Sequence, residues 1–277
     1  MSYDARITPL RDGIAGQSIE GLIKAKTYVE AKPRTCAVPA AALRRAPDPA
    51  SEQLDQLLFG EVFDVLEARD GFVWGQARRD GYVGYVAEGD LTVPTIEPTH
   101  WVSALRTYAF AENSIKSAAR GPYCLGALVT VEAQDGRLSQ VARAGWMTTA
   151  HLTPIGVVET DLAGIAERYL GAPYLWGGRE SLGLDCSGLV QQAMFACGLA
   201  CPRDTDQQQA LGRPIDPADF GRGDLVFWKG HVAMGLDAQR IVHANAFHMM
   251  VAIEPLEAAI TRIGATTTGQ PTAYRRL

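Results

Sequence analysis

Apolar positions along the chain follow three successive rhythms. Up to residue 34 the only sustained pattern lies over 18–30, where Ile19, Leu22, Ile23 and Tyr28 approximate one face at helical spacing behind Ser18 as cap, so a helix is expected there. From Val38 to Thr92 the pattern changes to short alternating segments punctuated by Pro47-Asp48-Pro49, Asp70-Gly71 and Asp80-Gly81, the signature of a small β-barrel. The stretch over 101–154 repeats it weakly. Ala42-Leu43-Arg44 is answered by Ala104-Leu105-Arg106, Phe59-Gly60 by Leu125-Gly126, Glu67 to Gly71 by Glu132 to Gly136, and Gly84-Tyr85-Val86 by Gly145-Trp146-Met147. Two barrels of one kind are expected. Beyond the 154–161 linker, the spacing predicts a helix over 162–170 and a second beginning near Cys186, where Leu189, Val190, Ala193, Met194 and Cys197 recur at three- and four-residue steps. Strands are expected at 224–228, 231–236 and 240–244, a helix at 256–263 and a last strand at 272–276. Helices first and antiparallel strands later read as α+β.

Composition narrows this picture without naming a function. The 277 residues are 47% hydrophobic and 21% charged, which suits two or three globular units. A formal charge of −5 with no block of like charge gives no support to a nucleic-acid or anionic-membrane partner. No window approaches the ~20 apolar residues of a membrane span. The first twelve residues lack the apolar run of a secretory signal, so a cytoplasmic location is expected. The five cysteines, at 36, 124, 186, 197 and 201, are odd in number and lack tandem C-x-x-C pairs, which suits reduced thiols; Cys197 and Cys201 read as buried or unpaired rather than as a zinc clip.

The candidate chemistry lies in the C-terminal third. Cys186 falls in the first turn of a buried helix, near the positive end of its dipole, where a thiol pKa of ~8.5 is expected to fall and expose the thiolate. His231 follows the Lys229-Gly230 turn, and His243 lies on a neighbouring strand across a short turn. Antiparallel neighbours can set two imidazoles side by side, so one pairs with sulfur while the other fixes its tautomer. By role this is a triad of Cys186, His231 and His243. A zinc site made from the same three residues lacks a fourth ligand at suitable spacing, and no metal or cofactor is expected.

Five spaced blocks carry a resemblance: Tyr174-x-Trp176-Gly177-Gly178, Asp185-Cys186-Ser187-Gly188-Leu189, Gly223-Asp224-Leu225-Val226, Gly230-His231-Val232 and Ile241-Val242-His243-Ala244. In order and type they resemble the NlpC (NlpC/p60) bacterial cysteine endopeptidases, which have a minimal papain-like fold. The repeat before them resembles the tandem bacterial SH3-like domains that accompany cell-wall hydrolases. The resemblance implies an α+β papain-like catalytic domain over 158–277, preceded by two all-β SH3-like barrels at 35–94 and 99–154 and an N-terminal arm over 1–34.

It also implies cleavage of peptidoglycan stem peptides between γ-D-glutamate and the diamino acid, with release of L-Ala-γ-D-Glu from substrates bearing a free N-terminal L-alanine. A muropeptide-recycling role follows. Carried over position by position, Cys186 attacks the carbonyl, His231 is base and then acid, and His243 orients it. The Cys186 N–H and the Tyr174 hydroxyl stabilise the oxyanion. Asp185, Ser187 and Trp176 line the D-glutamyl pocket. Asp204-Thr205 stands where relatives commonly have Asp-Ser, so Thr205 offers the hydroxyl with an added methyl, consistent with either a tighter pocket or a slightly different residue beside the glutamate. Glu61 and Tyr82 are the candidates for holding the alanine ammonium, since a carboxylate beside a phenol suits a cation; the second barrel has Ala127 and Arg143 there. An amidase or acyltransferase of the same fold, and a non-catalytic wall-binding protein, are the alternatives.

Overall fold

In the computed structural model, which describes residues 3–277, the chain divides into one unit ending at Ile155 and another running from Gly156 to Leu277. The helix expected over 18–30 does not form. A single 3-10 turn, Gln17–Ile19, leads through Gly21, at φ +79°, to the strand Thr27–Val29, which pairs in parallel with Ile14–Gly16. Leu22 is exposed and the Tyr28 hydroxyl donates to the Ile23 carbonyl. Helical spacing over-read this segment because Gly21, in the left-handed region, breaks it and no apolar face is buried.

Alternating residues in the next segment build a seven-stranded sheet in the order Leu91–Thr92, Lys32–Cys36, Val62–Arg69, Phe72–Ala77, Val83–Ala87, Ala40–Arg44, Gln53–Leu58. Every alternate side chain of Val62–Arg69 from Phe63 to Val65, with Leu43, Leu57, Val73 and Val86, enters one core. A second set follows in two pieces, Leu152–Pro154, His100–Val102, Leu128–Val129 and then Val131–Asp135, Leu138–Val141, Gly145–Thr148, Arg106–Phe110, Ala119–Cys124. Its strand order repeats that of the first set, with the long third strand interrupted at Thr130. Leu58 and Phe59 of the first set reach into the core of the second, beside Val102, Tyr123 and Met147.

The C-terminal unit runs α1 (Leu162–Arg168), the ribbon β1 (Arg179–Glu180) and β2 (Gly183–Leu184), α2 (Cys186–Ala196), α3 (Thr205–Gln208), β3 (Arg213–Pro214), β4 (Leu225–Trp228), β5 (His231–Gly235), β6 (Arg240–Asn245), β7 (Met250–Pro255), α4 (Leu256–Gly264) and β8 (Ala273–Arg276). Its antiparallel sheet has the order β3-β8-β4-β5-β6-β7. The main helices and strands lie within a few residues of the expected positions. β7 was not expected. Helix α2 is buried along nearly its whole length and packs on α1, β5 and β6, so its first residue is brought against the sheet centre. No helix among the described residues is long and apolar enough to cross a membrane.

Candidate active site

The start of α2 is fixed by one buried carboxylate. Asp185 is its N-cap and accepts the Gly188 N–H at 2.8 Å on Oδ1, while Oδ2 accepts the Gly177 N–H at 2.8 Å. The Arg203 guanidinium, 1% exposed, grips both oxygens at 3.0 and 2.6 Å and donates to Ser187 Oγ at 2.8 Å. Here the glycines of the two motifs meet. Gly177 turns at φ +73°, and a Cβ on Gly188 would stand 2.2 Å from the Gly178 carbonyl oxygen. The Trp-Gly-Gly and Asp-Cys-Ser-Gly blocks are therefore two sides of one backbone contact, which points Cys186 at the sheet.

Cys186 is 7% exposed, and its sulfur receives the backbone N–H groups of Val232 and Ser187. The sulfur thus lies at the start of β5, beside His231. Tyr174 reaches the same place because the strap around it bridges to Leu184 and its N–H donates to the Met249 carbonyl at 3.0 Å. A cleft of about 250 Å³ opens there, lined by Tyr174, Gly230, His231, Asn245, Phe247 and Arg262.

His231 Nε2 lies 2.8 Å from His243 Nδ1, and His243 Nε2 lies 2.7 Å from Glu254 Oε1. Arg262 of α4 donates to the same Glu254 oxygen. With Nε2 of His231 engaged by His243, Nδ1 is the nitrogen left for the thiol. His243 is fully buried and His231 half-buried. Burial, reinforced at His231 by the neighbouring His243, pushes the His231 pKa down to about 3, and burial lowers that of His243 as well. Burial, with the Asp185 charge, pushes the Cys186 thiol up to about 12. The expected depression of the thiol pKa is therefore corrected. The helix terminus, Arg203 and two N–H groups favour the thiolate, but desolvation outweighs them, and the resting pair is neutral thiol and neutral imidazole.

The other expected site residues separate by position. Tyr174 joins the cleft, and burial raises its hydroxyl pKa, so it is a donor at neutral pH. Trp176 is 59% exposed and stands outside the core. Asp185 and Ser187 are buried and tied to Arg203, so they support the start of α2 at Cys186 instead of presenting free polar groups to a pocket. Asp204 makes a capping box with Gln207, and Thr205 is the first residue of α3. Glu61 and Tyr82 are buried, not surface groups: Glu61 Oε2 accepts the Leu58 N–H at 3.0 Å, Oε1 faces Arg79 at 3.8 Å, and Tyr82 packs in the first core.

Arg203, Glu254 and Arg262 are site residues that sequence reasoning missed. Ligand atoms of His243, His248 and Glu254 lie within 4.8 Å of one another, but Glu254 is committed to His243 and to the Arg262 cation, which makes the cluster a hydrogen-bond network and not a metal cage.

Residues 171–263 match the NlpC/P60 family and residues 43–91 match the bacterial dipeptidyl-peptidase Sh3 domain. A gamma-D-glutamyl-L-lysine dipeptidyl-peptidase of Bacillus subtilis (strain 168) is 28% identical over 214 residues, covering 68% of this chain and 71% of that protein. A protein of the same name from Bacillus cereus (strain ATCC 10987) is 34% identical over 104 residues, covering 35% of this chain; the match spans only 31% of that relative. The crystal structure of an NlpC/P60 family protein from Bacillus cereus ATCC 10987 superposes with TM-score 0.75 at 21% identity, covering 88% of this chain and 99% of that one, a likeness of fold.

Proposed function

We propose that this chain, which carries an NlpC/P60 domain at residues 171–263 behind an Sh3 domain at 43–91, is a cysteine peptidase that cuts peptidoglycan stem peptides between γ-D-glutamate and the following diamino acid. The observation that carries the reading is Cys186 at the start of α2 with its sulfur on the Val232 N–H, next in the chain to a His231 that pairs with His243 and shares its cleft with Tyr174. The names of the two dipeptidyl-peptidase relatives support the γ-D-glutamyl bond as the one cut.

In the proposed reaction, substrate fills the cleft, Cys186 Sγ bonds to the γ-carbonyl carbon, and the thiol proton passes to His231 Nδ1. The oxyanion forms against the Cys186 N–H and the Tyr174 hydroxyl, an interaction type worth a few kcal/mol. Collapse breaks the C–N bond, and His231 returns the proton to the leaving amine of the diamino acid. Water, deprotonated by His231, then cleaves the thioester and restores the thiol. Because both resting groups are neutral, the thiolate is made during attack instead of being stored. Trp176, with its exposed ring, and the α3 start at Asp204-Thr205 are proposed to flank the D-glutamyl group.

The domain division proposed is an arm, the barrels expected at 35–94 and 99–154, and the peptidase domain over 158–277, with the end of the expected 1–34 arm moved back so that the strand Lys32–Cys36 belongs wholly to the first barrel. The repeated strand order supports reading the second set of strands as another SH3-like barrel. Selection for a free L-alanine amine is assigned to Glu61 and Tyr82; their burial requires a site that encloses the ammonium. Peptides with that free amine arise from wall turnover, so the activity is one of recycling.

Incubation of the protein with L-Ala-γ-D-Glu-L-Lys and with its meso-diaminopimelate counterpart, followed by mass spectrometry, tests the reading. Release of L-Ala-γ-D-Glu that disappears in Cys186→Ala supports it. No release from either peptide, or release that survives the substitution, overturns it. Refusal of the N-acetylated peptide is expected; its equal cleavage would remove Glu61 and Tyr82 from the proposal.

A further inference from the structure

Four side chains form one unbroken series, His231, His243, Glu254 and Arg262, and only the first two have a place in the reaction so far. The topology explains how the others arrive. On β6 and β7, His243 lies opposite Ala252, so Glu254, two residues further along β7, presents its side chain on the same sheet face as that cross-strand neighbour. Helix α4 begins directly after β7, and Arg262 near its end returns to the carboxylate. Glu254 is largely buried.

We propose that Glu254 is a positioning residue that sets the tautomers of both histidines, so that the His231 nitrogen facing the thiol carries a lone pair. The inference rests on the cysteine-peptidase reading of Cys186 and His231. Its logic is donor and acceptor matching. An ionised carboxylate only accepts, so the His243 nitrogen 2.7 Å from it, Nε2, holds the hydrogen. A neutral His243 then has its lone pair on Nδ1, which must accept from His231 Nε2 at 2.8 Å. A neutral His231 with its hydrogen on Nε2 leaves Nδ1 as a base. Reversal at any link would place a hydrogen on His231 Nδ1, and the thiol proton would have no acceptor.

Arg262 keeps the first link in place. Burial opposes ionisation of Glu254, yet the hydrogen bonds from His243 and Arg262 hold its pKa below the usual carboxylate value. Arg262 is itself stacked on Phe247, 4.3 Å from the ring centre. When His231 takes the thiol proton, the new imidazolium donates to His243 Nδ1 and the Glu254 charge lies one ring further on, so no second proton has to move.

Nitrogen-15 NMR of the histidine rings in the resting protein reads this directly. Both His231 and His243 are expected as Nε2–H tautomers; an Nδ1–H signal on His243 would overturn the proposal, whatever the activity. Glu254→Leu removes the acceptor and is expected to bring in the other tautomer and lower kcat by roughly tenfold or more, with KM held within about threefold. Glu254→Gln keeps an oxygen that can accept from both partners and should retain the tautomers with a smaller loss. Unchanged tautomers and kcat in Glu254→Leu also overturn it. Should that variant fail to fold, the spectrum of the unaltered protein still decides. Correct tautomers in a protein that cleaves no stem peptide would instead refute the functional reading alone.

Discussion

Substituting Arg203 by Met tests whether Cys186 and the start of α2 are held from behind by a buried ion pair. The methionine keeps an unbranched chain of similar reach but removes a guanidinium that makes 3.0 and 2.6 Å bonds to Asp185 and a 2.8 Å bond to Ser187. Asp185 would remain buried with only the Gly177 and Gly188 N–H groups and the Ser187 hydroxyl to answer a full charge. Breaking a buried pair from one side typically costs about 3–5 kcal/mol, a large part of a domain's total stability. Hydrogen exchange of the peptides covering α2 and the 174–184 strap is the suitable assay, since it reads local opening without assuming that the whole chain unfolds in one step. The expected acceleration is on the order of a hundred- to several-thousandfold. A second arm isolates the charge. In the double variant Asp185→Asn, Arg203→Met, the amide oxygen can still cap α2 and no charge is stranded, so at least about 2 kcal/mol of the loss should return. Exchange within about fivefold of the unaltered protein in Arg203→Met, or a double variant no better than the single, would refute the reasoning.

Three further outcomes follow from the same geometry. Alkylation of Cys186 by iodoacetamide should accelerate steadily from pH 6 to pH 10, because the thiol is pushed up to about 12 and His231 down to about 3; a plateau already established below pH 8 would mean a resting ion pair and count against a neutral one. Both histidines have pKa values below the ordinary 6.5, so from about pH 6.5 downward the unfolded state binds more protons and the C-terminal unit should lose stability, by up to about 1.4 kcal/mol per pH unit for each histidine; a melting temperature flat from pH 7 to pH 5 would contradict this. Gly188→Ala, whose Cβ would meet the Gly178 carbonyl oxygen at 2.2 Å, should cost about 1–3 kcal/mol in thermal melts and abolish most of the proposed peptidase activity, whereas Arg222→Ala, which removes an exposed pairing with Asp161 and Glu167, should change stability by less than about 1 kcal/mol.

Legibility in the sequence followed the reach of each physical signal. The helix at Cys186 and the strands bearing His231 and His243 were readable because periodicity and turn residues are local. The 18–30 segment failed by the same measure, since spacing alone cannot tell whether a face will be covered, and Leu22 is not. Arg203 was hidden by its residue type. An arginine in a polar loop ordinarily reads as solvent-facing, and only the fold shows it beneath the first turn of α2. Glu254 was hidden by register, because its relation to His243 exists only once β6 and β7 are paired.

The thiol shows why charge state is the hardest of these properties to read from sequence. Helix terminus, backbone N–H groups and arginine each argue for a thiolate, and each is present at Cys186. What reverses the balance is the removal of water by α2 packing on β5 and β6, a property of the assembled unit that no local pattern records. The same desolvation that raises the thiol also lowers both imidazoles, so at rest the proton stays on sulfur. Such a site depends less on a stored charge than on a base whose lone pair already points at the proton. In the proposed mechanism, orientation through His243, Glu254 and Arg262 therefore matters more than it would beside a preformed thiolate, and variants along that series should affect kcat before they affect binding.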